Sequence, residues 1–172
     1  MTTRDIFLLW VFPESVRYGD VAKIRIFVLD MARILSIDFG RKRTGIAVTD
    51  TLQLIANGLC TVATHELLPF LLDYVQREPV ERIVVGLPRQ LDNTPSESMR
   101  YIKPFVAKLR KALPEMPVEF FDERFTSALA HRAMIDGGLK QKARRDKALV
   151  DEISATIILQ DYLESQSYKN KL

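Results

Sequence analysis

Apolar and polar positions along this chain follow two periods, one of strands and one of helices. The stretch Arg33-Ile34-Leu35-Ser36-Ile37-Asp38-Phe39-Gly40-Arg41-Lys42-Arg43-Thr44-Gly45-Ile46-Ala47-Val48 predicts a strand, a tight turn and a second strand. The first strand is nearly continuous in apolar residues, the mark of a strand buried on both faces, and it closes on a carboxylate, Asp38. Ile55–Val62 predicts a third strand, weakened by Asn57-Gly58. Short joins between the three imply an antiparallel meander.

The period then changes. Leu67, Leu68, Leu71, Leu72 and Val75 share one helical face opposite Glu66, Asp73 and Arg77, and Pro79 ends the helix. Arg82-Ile83-Val84-Val85-Gly86 predicts a short strand of the buried, parallel type. A polar loop follows, closed by Thr94-Pro95-Ser96-Glu97, where Thr94 and Glu97 have capping-box spacing and Pro95 suits a first helical position. Met99, Ile102, Val106, Leu109 and Leu113 form the stripe of the next helix. Pro104 lies off it and either kinks the helix or marks a later start. Val118–Phe121 predicts a fifth strand, ending in Asp122-Glu123-Arg124. Thr126 or Ser127 caps a short helix stopped at Gly137-Gly138, and a last helix spans about Ala148–Ser165. The order β-β-β-α-β-α-β-α-α indicates a mixed sheet with helices on its faces.

Composition narrows the class. A chain of 172 residues with 47% hydrophobic and 27% charged residues suits one well-buried domain. A single cysteine, Cys60, excludes an internal disulfide, and with only His65 and His131 beside it a zinc site of the usual ligands is not expected. No apolar run approaches the ~20 residues of a membrane helix, so the expected location is the cytoplasm, without a membrane partner. Residues 1–30 carry four basic residues (Arg4, Arg17, Lys23, Arg25) and four acids (Asp5, Glu14, Asp20, Asp30), so the net charge of +3 lies in residues 31–172. This leader reads as an N-terminal extension, either an over-extended reading frame preceding a start at Met31 or a genuine addition to a single domain over 31–172.

Three acidic positions are placed for chemistry. Asp38 ends the first strand, Asp122 and Glu123 end the fifth, and Asp151 lies in the first turn of the last helix, on a wheel between Ile158 and Tyr162. An acid among apolar neighbours must pair, bind metal or take up a proton, because isolated buried charge is costly. Carboxylates converging at strand ends suit the hard cations Mg²⁺ or Mn²⁺. Each also has a plainer role: Asp38 as an Asx cap of its turn, Asp122-Glu123-Arg124 as a solvated strand end, Asp151 as an acid favoured by the helix dipole. The run Lys140–Lys147 holds five cations in eight residues directly before Asp151. It is either a solvated loop or a source of sequence-independent contacts to a nucleic-acid backbone. Arg41, Lys42, Arg43, Arg124, Lys142, Arg144, Arg145 and Lys147 are the candidate nucleic-acid contacts. His65 and His131 are not placed as general bases.

The segments Asp38-Phe39-Gly40 to Ala47, Val85-Gly86-Leu87-Pro88, Asp122-Glu123-Arg124-Phe125-Thr126 and Val150-Asp151-Glu152-Ile153-Ser154-Ala155 stand in the order and spacing of the YqgF family. Over residues 33–164 the chain resembles these RuvX-like proteins. The resemblance implies an α/β ribonuclease H-like fold, a mixed five-stranded sheet with the antiparallel meander first and alternating strands and helices after it. It implies a metal-dependent endonuclease that hydrolyses RNA phosphodiesters, maturing the 5′ end of pre-16S rRNA on the ribosomal particle. The runner-up is a Holliday junction resolvase acting on branched DNA as a homodimer; the nuclease itself would be a monomer or homodimer. A non-catalytic ribosome-assembly factor is the alternative of another class. The family's acids fall on Asp38, on the Asp122–Glu123 pair and on Asp151, with Asp38, Glu123 and Asp151 as the metal ligands. Alternation along the strand sends Asp122 and Glu123 to opposite faces, which favours Glu123. Two departures stand out: Asp92-Asn93-Thr94 replaces the family's Asp-Gly-Thr, and Gly86 stands where the related RuvC resolvases carry a catalytic glutamate.

Overall fold

The computed structural model describes residues 32–88, 97–122, 132, 134–138, 141 and 146–169. The expected extension over residues 1–30 lies outside them. In chain order the elements are β1 (Arg33–Phe39), β2 (Arg43–Thr49), β3 (Ala56–Ala63), a 3₁₀ turn (Thr64–Glu66), α1 (Leu67–Arg77), β4 (Val80–Leu87), α2 (Met99–Ala112), β5 (Val118–Asp122) and α3 (Lys147–Lys169).

The strands form one sheet in the order β3-β2-β1-β4-β5. β1 pairs antiparallel with β2, and β2 with β3, which is the meander. β4 joins β1 in parallel, and β5 joins β4 in parallel. β1 is therefore central, and β1, β4 and β5 all end at the same edge of the sheet. Open α/β sheets bind ligands outside that carboxyl edge.

The pleat divides β1 between two cores. Leu35 and Ile37 point to one face with Ile46, Val85, Leu71, Ile102 and Leu109, so α1 and α2 cover it. Ile34 points to the other face with Ala47, Val84, Ala155, Ile158 and Leu159, so α3 covers that one. Leu35, Ile37 and Ile46 are fully buried, and each large aliphatic buried this way contributes about 1.5–3 kcal/mol. The near-continuous apolar run of β1 follows from this two-sided burial.

Boundaries differ from expectation in physically readable ways. β4 extends over Val80–Leu87 rather than 82–86, because its ends keep pairing with β1 and β5. Glu97 and Ser98 form a turn and α2 begins at Met99, while Thr94 of the expected capping box lies outside the described residues. α2 runs unbroken through Pro104, which is exposed there. α3 begins at Lys147 and continues to Lys169. Its N-cap is Asp146, whose Oδ1 accepts the Ala148 N–H at 3.0 Å while its carbonyl accepts from Val150 N–H at 3.1 Å. Of the expected short helix, residues 132 and 134–136 are helical and lead into a turn at Gly137-Gly138, with Gly138 at φ +72°.

Candidate active site

Asp38 is the penultimate residue of β1, and alternation puts it on the α3 face with Ile34 and Ser36. Across the antiparallel pair its register partner is Gly45. That glycine is required by close approach: a Cβ there would lie 1.9 Å from the Asp151 carbonyl oxygen and 2.9 Å from the Glu152 nitrogen. The first turns of α3 thus rest directly on β2, and Asp151 is brought beside Asp38. Polar groups fix the helix along the sheet. The Thr61 hydroxyl donates to the Ala148 carbonyl at 2.7 Å, and the fully buried Ser36 hydroxyl donates to the Ala155 carbonyl at 2.7 Å. At the far end Arg82 donates to Tyr162 Oη at 3.0 Å, and Tyr162 donates to Glu119 at 2.9 Å.

The electrostatics of the two acids follow from this placement. Burial, with the Asp151 charge adding to it, pushes the Asp38 carboxyl up to about 7. Burial also raises Asp151, opposed by the Arg43 hydrogen bond and charge and by the charge of Lys147. Arg43 Nε donates to Asp151 Oδ2 at 3.1 Å. The two side chains are 40% and 26% exposed, so solvent screens the pair and its main effect is to orient the carboxylate. Arg43, one of the expected nucleic-acid contacts, is the first residue of β2 and a partner of the helix acid.

The other expected site residues fall in different places. Asp122 is in register with Leu87, which packs on the α1 and α2 side, so the pleat turns Asp122 away from Asp38. Glu123, Arg124, Lys142, Arg144 and Arg145 lie outside the described residues. Lys147 is exposed at the start of α3, and Arg41 and Lys42 are exposed in the turn after β1. Gly86 follows Val84 on the α3 face and adds no side chain next to Asp38. Among the described residues, no group of three or more His, Cys, Asp or Glu side chains is placed to hold a metal ion. Asp38 and Asp151 are nonetheless hard oxygen donors that repel one another, and a divalent cation would relieve that repulsion.

Sequence reasoning did not single out Gly45, Ser36, Thr61 and Asp146 as the residues that seat the helix acid. Ser36 carried a usable signal, a hydroxyl in an otherwise apolar buried strand, which must find an acceptor. Asp146 was hidden inside a run read for its positive charge.

The family model described as "RuvX: Holliday junction resolvase" matches residues 32–165. A Phocaeicola vulgatus protein named "Putative pre-16S rRNA nuclease" is 70% identical over 138 residues, covering 80% of this chain and 99% of that protein. A Porphyromonas gingivalis protein of the same name is 60% identical over 135 residues, covering 78% of this chain and 98% of that one. The structure of T. thermophilus RuvC in complex with a Holliday junction substrate matches with a TM-score of 0.51 at 20% identity, covering 79% of this chain and 96% of that chain. This likeness shows the fold, which is ribonuclease H-like.

Proposed function

The chain belongs to the RuvX family, and from that premise we propose that it is a metal-dependent endonuclease hydrolysing RNA phosphodiesters at the 5′ end of precursor 16S rRNA. The observation that carries the chemistry is the meeting of Asp38 and Asp151 at the carboxyl edge of the sheet, forced by the contact of Gly45 with the α3 backbone. The names of the relatives support the substrate.

Asp38 and Asp151 would hold Mg²⁺ or Mn²⁺, with Glu123 as the third donor; strand alternation favours it over Asp122. When bound, the cation supplies Lewis-acid polarisation of a phosphate and lowers the pKa of water. The chain's own residues do the rest. Arg43 takes Oδ2 of Asp151, which fixes that carboxylate and leaves Oδ1 to a ligand. With its carboxyl raised to about 7, Asp38 is divided between protonated and ionised forms near neutral pH, and a bound cation would shift it to the carboxylate. Lys147, Arg41 and Lys42, with Arg124, Lys142, Arg144 and Arg145, bind the RNA backbone through charge, independently of sequence. No helix among the described residues is long and apolar enough to cross a membrane, and such an enzyme works in the cytoplasm, on ribosomal particles.

The description of the family model favours a second reading, cleavage of four-way DNA junctions by the same residues. Cleavage of a precursor 16S rRNA 5′ fragment and of a four-way junction, side by side in Mg²⁺, separates the two. The RNA is expected to be trimmed and the junction left intact. Junction cutting with intact RNA would overturn the assignment.

A further inference from the structure

The turn after β1 sends its two arginines to opposite faces of the sheet. Arg43 reaches Asp151 on the α3 side. Arg41 lies over the ring of Tyr101 on α2, with its guanidinium carbon 5.3 Å from the ring centroid. Arg100 covers the same ring at 4.8 Å. The arrangement is anchored next to the acid pair: Phe39, the residue after Asp38, packs on Phe105 of α2 with centroids 5.1 Å apart, and Phe105 lies one helical turn beyond Tyr101.

Two guanidinium groups on one ring repel each other. Glu97 offsets Arg100 at 2.5 Å, but among the described residues Arg41 ion-pairs with no carboxylate, and Lys42 beside it is exposed. The cluster therefore carries excess positive charge. An exposed cation–π contact is worth only about 0.5–1 kcal/mol, too little to be the point of gathering the charges. Its useful effect is to restrain long side chains whose planar donor forks match phosphate oxygens.

We propose that Arg41 and Arg100, held by Tyr101 as a positioning residue, form a second phosphate subsite that grips the RNA backbone on the α2 side, away from the scissile position. This rests on the nuclease reading and extends it. The strand then crosses the carboxyl edge of the sheet, between the cations beside α3 and this pair.

The test is fluorescence anisotropy of a labelled 20-nucleotide single-stranded RNA against the full chain in EDTA, repeated over a range of NaCl concentrations. Arg100→Gln, an exposed change, is expected to weaken binding roughly tenfold at low salt. It should also reduce the slope of log K against log salt by about 0.7, the value for one phosphate contact on a single strand. Tyr101→Leu, which removes the ring that restrains both Arg41 and Arg100, should also weaken binding, whereas Tyr101→Phe, which keeps the ring, should match the wild type. Arg100→Gln and Tyr101→Leu proteins that fold and bind with wild-type affinity and slope would overturn the subsite while leaving the nuclease reading intact. A wild-type chain that does not bind the RNA would remove both.

Discussion

Asp38, proposed as a donor for a cation, is also an ionisable group packed against α3, and the two roles conflict in the unliganded protein. Its carboxyl is raised from 3.8 to about 7 by burial and by Asp151. A raised acid binds its proton more tightly in the folded state. Its contribution to stability is therefore complete below pH 4 and is lost as pH climbs to 7 and beyond, each pKa unit being worth about 1.4 kcal/mol. Asp38→Asn should accordingly raise the melting temperature of the metal-chelated chain at pH 8 and leave it nearly unchanged at pH 4; thermal unfolding at the two pH values measures this. Equal effects at both would show that Asp38 ionises freely. Gly45 makes the complementary point. In Gly45→Ala the new methyl group meets the Asp151 carbonyl at 1.9 Å, and the helix backbone must move, whereas in Gly58→Ala it meets the Glu152 side chain, which can rotate. Urea unfolding should show a loss of about 1–3 kcal/mol for the first and less for the second. The Asp38 carboxylate was legible in the sequence because it ends an apolar strand, whereas the helix contact that requires a glycine was not legible at Gly45. Its true neighbour lies over a hundred residues downstream, and no local pattern reports that.

α3 shows how far an element can be read from its pattern. Its apolar character predicted burial, and Ala155, Ile158, Leu159 and Tyr162 are buried. Yet Leu149, Val150, Ile153 and Ile157 are only half-buried, since the helix lies with one side against the sheet. The contacts that set its position are polar and long-range: Thr61 to Ala148, Ser36 to Ala155, and Arg82 through Tyr162 to Glu119. Propensity and periodicity do not encode such partners. The helix start is the element's weak point, because the cap bond from Asp146 secures the turn that carries Asp151. Asp146→Ala should cost about 1 kcal/mol in urea unfolding and should slow cleavage by loosening Asp151. Stability lost without any change in cleavage would separate the cap from the site.

At the scale of the molecule the meander and the placement of helices on both faces were legible, since short joins make neighbouring strands antiparallel and strands apolar on both sides need cover on both; the strand order β3-β2-β1-β4-β5 was not. The site was legible in part. The structure places Asp151 beside Asp38, whereas Asp122 is turned to the α1 and α2 side by a register that sequence alone does not fix. A pair of repelling carboxylates should gain from a cation. Mn²⁺ at about 100 times its Kd should stabilise the chain by about 2.7 kcal/mol, and both Asp38→Asn and Asp151→Asn should lose that increment in thermal unfolding. The most direct test of the central claim is the single-turnover cleavage of a precursor 16S rRNA 5′ fragment in Mg²⁺ by the wild-type and Asp38→Asn chains. The wild type should trim the fragment and the variant should be slower by on the order of 100-fold or more, the scale of losing a principal electrostatic contact to the transition state. Trimming by Asp38→Asn at the wild-type rate would contradict the account.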